Sequence, residues 1–171
     1  MPARCVVRPI RYATAGLAAA ALLIASAARA EPASGTVSLP SRAGPVGFSV
    51  ANVYLVAGPD AGSGKTIRQL IFTSADIGAK LLACASMSCA SGIVVEGMTV
   101  DFDAGPRLNY WVVGNGQKVQ YSGTAVPAQV ARLTADTPQR LAGTLAIDDT
   151  SAGGAKANVT FDATVVKQFA R

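Results

Sequence analysis

The chain has 171 residues, half of them hydrophobic, with 15 basic and 10 acidic side chains and a formal net charge of +5. It contains no histidine, which excludes Ser-His-Asp and Cys-His nucleophile mechanisms. Nor does the charge argue for nucleic acid. Arg4, Arg8, Arg11 and Arg29 all precede the first acid, and residues 31–171 keep 11 basic and 10 acidic residues, a net of +1 without a Lys/Arg cluster.

Residues 1–30 read as a secretory signal peptide. The three early arginines form a positive n-region, Ala13–Ala27 is an uncharged run rich in Ala and Leu, and Ala28-Arg29-Ala30 is a small-x-small site with cleavage expected after Ala30. The apolar run is too short to span a bilayer comfortably, since a spanning helix needs about 20 residues. Residues 31–171 are therefore expected to form a single β-rich domain, periplasmic or secreted, with no membrane span. Cys84 and Cys89 remain in that domain, and in an exported chain a local disulfide is the default, with free thiols or a link to a partner as alternatives. Two thiolates alone do not complete a tetrahedral shell, so no metal is expected.

In chain order, Gly35–Leu39 is a short strand candidate and Ser41–Pro45 a turn. Val46–Ala57 alternates at first and then becomes apolar on both parities, the pattern of a strand buried on both faces. Gly58–Lys65 is a loop and Ile67–Thr73 a strand. Ser74–Ala85 is read as a short helix with Ser74 as N-cap and Asp76 in its first turn. The CASMSCASG segment that follows is read as a loop. Ile93–Phe102 is a strand with Gly97 as a possible bulge.

Asn115-Gly116 between Arg107–Val113 and Gln117–Gly123 is a strong hairpin signal favouring a type I′ turn. A two-residue loop pairs Tyr110 with Tyr121, Val112 with Val119, Trp111 with Gln120 and Val113 with Lys118. Gln129–Leu133 is a possible strand, and Asp136–Pro138 a turn. Leu141–Val166 reads as a closing hairpin. Leu141, Leu145 and Ile147 share one parity with Gly143, Val159, Phe161, Ala163 and Val165 share another, and Asp148 to Gly154 supply turn formers. About eight short strands with at most one short helix indicate an all-β fold, an antiparallel β-sandwich or barrel.

Three segments carry a resemblance: Leu70–Ser74 with Asp76 soon after, Thr137-Pro138-Gln139-Arg140-Leu141-Ala142-Gly143, and Asn158-Val159-Thr160-Phe161-Asp162-Ala163. In layout the chain resembles small exported β-rich proteins of Gram-negative bacteria, a group of unknown function. The resemblance implies an exported β-domain, and it carries over no catalytic residue.

Several motifs imitate chemistry. Gly58–Thr66 (GPDAGSGKT) resembles a phosphate loop, but Pro59 stands where the pattern requires glycine, and proline removes a backbone donor. Asp101 and Asp103 lie two apart and would share a face of a regular strand, as paired carboxylates of a hydrolase can; the solvated end of a strand is the plainer reading. Asp148, Asp149, Thr150 and Ser151 offer oxygens to calcium, but their spacing is not that of an EF-hand loop and turn chemistry accounts for them.

Trp111 is placed outside the hairpin core beside Asn109, Gln120 and Lys118. Aromatics among polar neighbours often mark binding faces, so these four are the candidate binding residues. Cover by a loop or terminus is the competing and preferred reading, because Trp is highly buried on average. With no catalytic constellation and no cofactor implied, the expectation is a non-enzymatic exported domain binding a protein or envelope component. The alternatives are a carrier of a small apolar ligand in a barrel cavity and a carboxylate-based hydrolase.

Overall fold

The alternating stretches become nine strands in the computed structural model, which describes residues 30–40, 44–122 and 126–170, leaving aside the side chains of Tyr121 and Ser122. All but the last residue of the expected signal peptide, part of the Ser41–Pro45 turn and the end of the Gln117–Gly123 strand lie outside the described residues. The elements are β1 (Glu31–Leu39), β2 (Val46–Pro59), β3 (Thr66–Thr73), α1 (Gly78–Ala83), α2 (Met87–Gly92), β4 (Gly97–Phe102), β5 (Asn109–Gly114), β6 (Gln117–Ser122), α3 (Pro127–Val130), β7 (Ala131–Thr137), β8 (Arg140–Asp148) and β9 (Lys156–Gln168), with a 3₁₀ turn at Thr150–Ala152. The all-β expectation holds, with nine strands and three short helices among the described residues.

The strands form one sheet in the order β6-β5-β4-β3-β2-β1-β9-β8-β7, antiparallel at every step. β1 sits as a wedge between β2 and β9. Past its first residues those two meet directly in a parallel pairing, Leu55 opposite Val165 and Ala57 opposite Gln168.

The sheet is strongly curled. Phe72 of β3 and Phe161 of β9 are three strand steps apart, about 14 Å in a flat sheet. Their rings nevertheless meet edge to face at a centroid distance of 5.6 Å. The concave face gathers Val53, Leu55, Phe72, Val100, Tyr110, Leu141, Leu145 and Phe161 into one core. Among the described residues no ladder joins β6 to β7, so the curled sheet does not close into a barrel.

The opposite face of β2 and β3 is covered as well. Tyr54, Val56, Ile67 and Ile71 pack beneath Leu81 of α1, Met87 and Ala90 of α2, and Phe169. Cover on both faces explains why Val53–Gly58 is buried without alternation. A disulfide between Cys84 and Cys89, with Cα atoms 5.4 Å apart, staples the end of α1 to α2.

The helical region departs from the sequence reading. Ser74 does not cap a helix; its hydroxyl donates to Glu96 at 2.5 Å. α1 starts later, at Gly78, whose N–H donates to Asp76 at 2.8 Å. The segment read as a loop contains α2, where Ser86 is the N-cap and accepts from the Cys89 N–H at 3.2 Å. Ile93 caps the end of α2 rather than opening a strand, and Gly97 pairs with Thr73 and Val113 without a register shift. The sequence there has little helical periodicity, and burial against the sheet supplies the stabilisation that propensity does not.

Candidate functional site

Asn115 and Gly116, at φ 50° and 70°, make the two-residue turn expected of a type I′ hairpin. The register follows as read: Tyr110 faces Tyr121, Trp111 faces Gln120, Val112 faces Val119 and Val113 faces Lys118. On its other side Trp111 pairs with Thr99 of β4, and Asn109 pairs with Asp101. Trp111 is half-buried, neither fully covered nor free. The Lys118 ammonium lies over its ring, 5.6 Å from the centroid.

Trp111 and Lys118 wall a cavity of about 240 Å³. Asp60 and Ala61 of the β2–β3 loop, Ile67 and Gln69 of β3, Met87, Ser88 and Ser91 of α2, and Asp101 of β4 complete it. Of the other two candidate binding residues, Gln120 is exposed directly opposite Trp111 and Asn109 is half-buried on the same strand face; neither lines the cavity.

The cavity floor is a buried polar chain. Asp101 is 4% exposed and Gln69 5%. The Gln69 Nε2 donates to Asp101 Oδ1 at 2.6 Å, and the Ser91 hydroxyl donates to Gln69 Oε1 at 3.0 Å. This orders the amide and fixes the carboxyl. Burial pushes the Asp101 carboxyl up to about 6, helped by the field of Asp60; the Gln69 hydrogen bond and the Lys118 charge act the other way. Asp60 is held below the usual carboxylate range by the hydroxyl and N–H of Ser63, both at 2.7 Å. The loop that imitates a phosphate cradle thus turns inward on its own acceptors: the Asp60 N–H donates to Lys65 O and the Gly64 N–H to Asp60 O, both at 2.8 Å.

Gln69, Ser91 and Asp60 did not stand out in the sequence. One signal was there to read. Gln69 stands between Ile67 and Ile71 on its own parity, which marks a polar group buried on a covered face, whereas Asp101 shares its parity with Thr99 and Asp103 and carries no such mark.

The structure separates Asp101 from Asp103. Asp103 lies beyond the end of β4 at φ 69°, which breaks the strand alternation, and it lines a different cavity. There it accepts from Arg68 Nε at 2.6 Å and Nη2 at 2.8 Å, while Arg68 Nη1 donates to Asp136 at 2.7 Å and to the Thr137 carbonyl at 2.8 Å. That cavity, about 390 Å³, is the larger of the two, but its arginine is committed to protein acceptors.

The carboxylates of the β8–β9 turn are also engaged. Asp148 accepts from the Thr150 hydroxyl at 2.6 Å and pairs with Lys156 at 3.1 Å; Asp149 accepts from the Tyr110 hydroxyl at 2.5 Å. Among the described residues no three His, Cys, Asp or Glu side chains group as metal ligands.

Comparison with known proteins found no match to a family model, a curated protein or a solved structure. The geometry of the Trp111 cavity therefore carries the functional reading alone.

Proposed function

We propose that the chain is an exported, non-enzymatic binding domain whose recognition site is the cavity beside Trp111. One observation carries this reading: a half-buried indole, a cation and a buried carboxyl held by an amide that a hydroxyl in turn orders converge on one cavity. Polar groups that converge on a cavity beside an aromatic side chain are a usual feature of a ligand site. The polar floor favours a ligand with hydrogen-bonding or charged groups over the apolar ligand of a carrier. Export, and membership of the Gram-negative group the chain resembles, rest on the leader-like residues 1–30 and on the three resembling segments.

Two measurements test the proposal. N-terminal sequencing of the protein recovered from cells should begin at Glu31. A photo-crosslinking residue at Gln120, beside the cavity mouth, should capture a protein or envelope component in place, whereas one at Thr134 on β7 should not. Recovery of the intact leader removes the export reading. Equal adducts from both positions, or none from Gln120, remove the recognition site.

A second reading rests on the opposed shifts of Asp101 and Asp60 in the same cavity. Carboxyls driven apart in this way can serve as acid and base in a hydrolase. In that case Asp60, not Asp103, would partner Asp101, and Asp60→Asn and Asp101→Asn would each abolish any hydrolysis found.

A further inference from the structure

The structure leaves the carboxyl of Asp101 half used. Gln69 occupies Oδ1, and among the described residues Oδ2 has no hydrogen-bond partner. Asp101 nevertheless lines the cavity and is 4% exposed. Among the described residues the only cation on the cavity wall is Lys118, and its ammonium forms no ion pair with either carboxylate. It lies instead on the indole face of Trp111. The cavity thus carries two acids against one base, an unfilled acceptor at its floor and an aromatic face already suited to an ammonium. Ile67 and Met87 add apolar wall against which methylenes can lie.

We propose that this cavity takes an alkylammonium group, which displaces the Lys118 side chain from the indole and pairs with Asp101 Oδ2. The inference rests on the reading of the Trp111 cavity as a recognition site and names the chemistry it recognises. The Gln69–Ser91 chain holds Asp101 in place before the ligand arrives, so little ordering is left to binding. Lys118, exposed and near the tip of a hairpin, acts as an internal competitor. The same group could come from a free alkylamine or from a lysine side chain of a partner, and the assay separates the two.

Trp111 is the only tryptophan of the chain, so its emission reports occupancy directly. The purified protein is titrated with n-pentylammonium, with 1-pentanol as neutral isostere, and with N-acetyl-lysine methylamide. Pentylammonium should shift Trp111 emission saturably and pentanol should not. A dissociation constant lower for the lysine amide than for pentylammonium assigns the source to a partner's side chain, and the reverse assigns a free amine.

Affinity should fall about tenfold between pH 7 and pH 5, as a carboxyl with a pKa of about 6 protonates while the amine stays charged. The charged groups facing Asp101 are Asp60 from the β2–β3 loop and Lys118 from β6; α2 contributes none. Asp101→Asn should abolish the pentylammonium response. Lys118→Met should strengthen it several-fold, a gain that misfolding cannot produce.

Equal binding of pentanol, no saturable response, or unchanged affinity in Lys118→Met overturns the proposal. If these fail while Gln120 still crosslinks a partner, the ligand chemistry is wrong and the recognition site stands. If both fail, both fall.

Discussion

Arg68 of β3 donates from Nη1 to Asp136 of β7 at 2.7 Å, although four hydrogen-bonded steps, through the direct β2–β9 pairing, separate their strands in the sheet. In a flat sheet those strands would lie about 19 Å apart. The guanidinium also grips Asp103 with two nitrogens and the Thr137 carbonyl with a third contact, so one side chain ties the two limbs of the curl. Arg68→Met is expected to lower stability by about 1–2 kcal/mol, because the arginine is well covered while its acids are half exposed to screening. Urea denaturation checks the loss. A double-mutant cycle with Asp136→Asn should give a coupling of about 0.5–1 kcal/mol that shrinks in about 1 M salt.

Asp101 gives stability a pH slope of unusual sign. Its carboxyl titrates at about 6 in the fold, against 3.8 as the ordinary value, so between those values the folded state binds more protons than the unfolded one. Stability is therefore highest below about pH 4 on this account, falls as pH rises to about 6, and is flat above. Asp101→Asn keeps an acceptor for Gln69 and removes the slope. It is expected to be more stable than the native chain at pH 7–8 by on the order of 2 kcal/mol, and level with it near pH 4. Denaturant midpoints across that range decide; a variant less stable at pH 8 would count against a strained buried carboxyl.

Gly143 holds φ 148°, and a Cβ there would sit 2.2 Å from the Arg132 carbonyl oxygen. It faces Phe161 in the neighbouring strand, with the register shift between Leu133 and Ala135 beside it. Gly143→Ala is expected to cost about 2–4 kcal/mol, through backbone strain and displacement of β7. Thermal unfolding of the variant measures it.

Reduction of the Cys84–Cys89 disulfide, or Cys84→Ser with Cys89→Ser, is expected to lower stability by about 2 kcal/mol on loop-closure entropy. Because α2 supplies Met87, Ser88 and Ser91 to the cavity, loosening it should also shift Trp111 emission. A stability change without that shift would mean α2 keeps its place without the bond.

The two hairpins were the most legible part of the chain. Asn115-Gly116 set the register of β5 and β6 pair by pair, because a two-residue turn leaves no freedom in it. In β8 and β9 the parities read from the sequence bring Leu141 opposite Ala163 and Leu145 opposite Val159. The double burial of β2 was readable from its unbroken apolar run. Trp111 and Lys118 were legible as a candidate face, whereas of the floor beneath them only Gln69 left a mark in the sequence. Ser91 reaches Gln69 only because α2 lies across β3, and Asp60 joins them only because the β2–β3 hairpin ends there. These are consequences of packing between distant segments, which local pattern does not encode. Asp103 misled for the opposite reason, since a single residue at positive φ cancels the period-2 rule.

The wedge position of β1 has a bearing on biogenesis. Its two ladders run to β2, its neighbour in the chain, and to β9, whose Phe161 lies more than a hundred residues beyond its partner Ala33. A chain made N-terminus first presents β1 early and must hold one of its edges open until β9 arrives. Pairings of such separation are slow to form, and an unpaired edge is a template for foreign strands. A chain cut short before β9 is therefore expected to aggregate rather than fold in part.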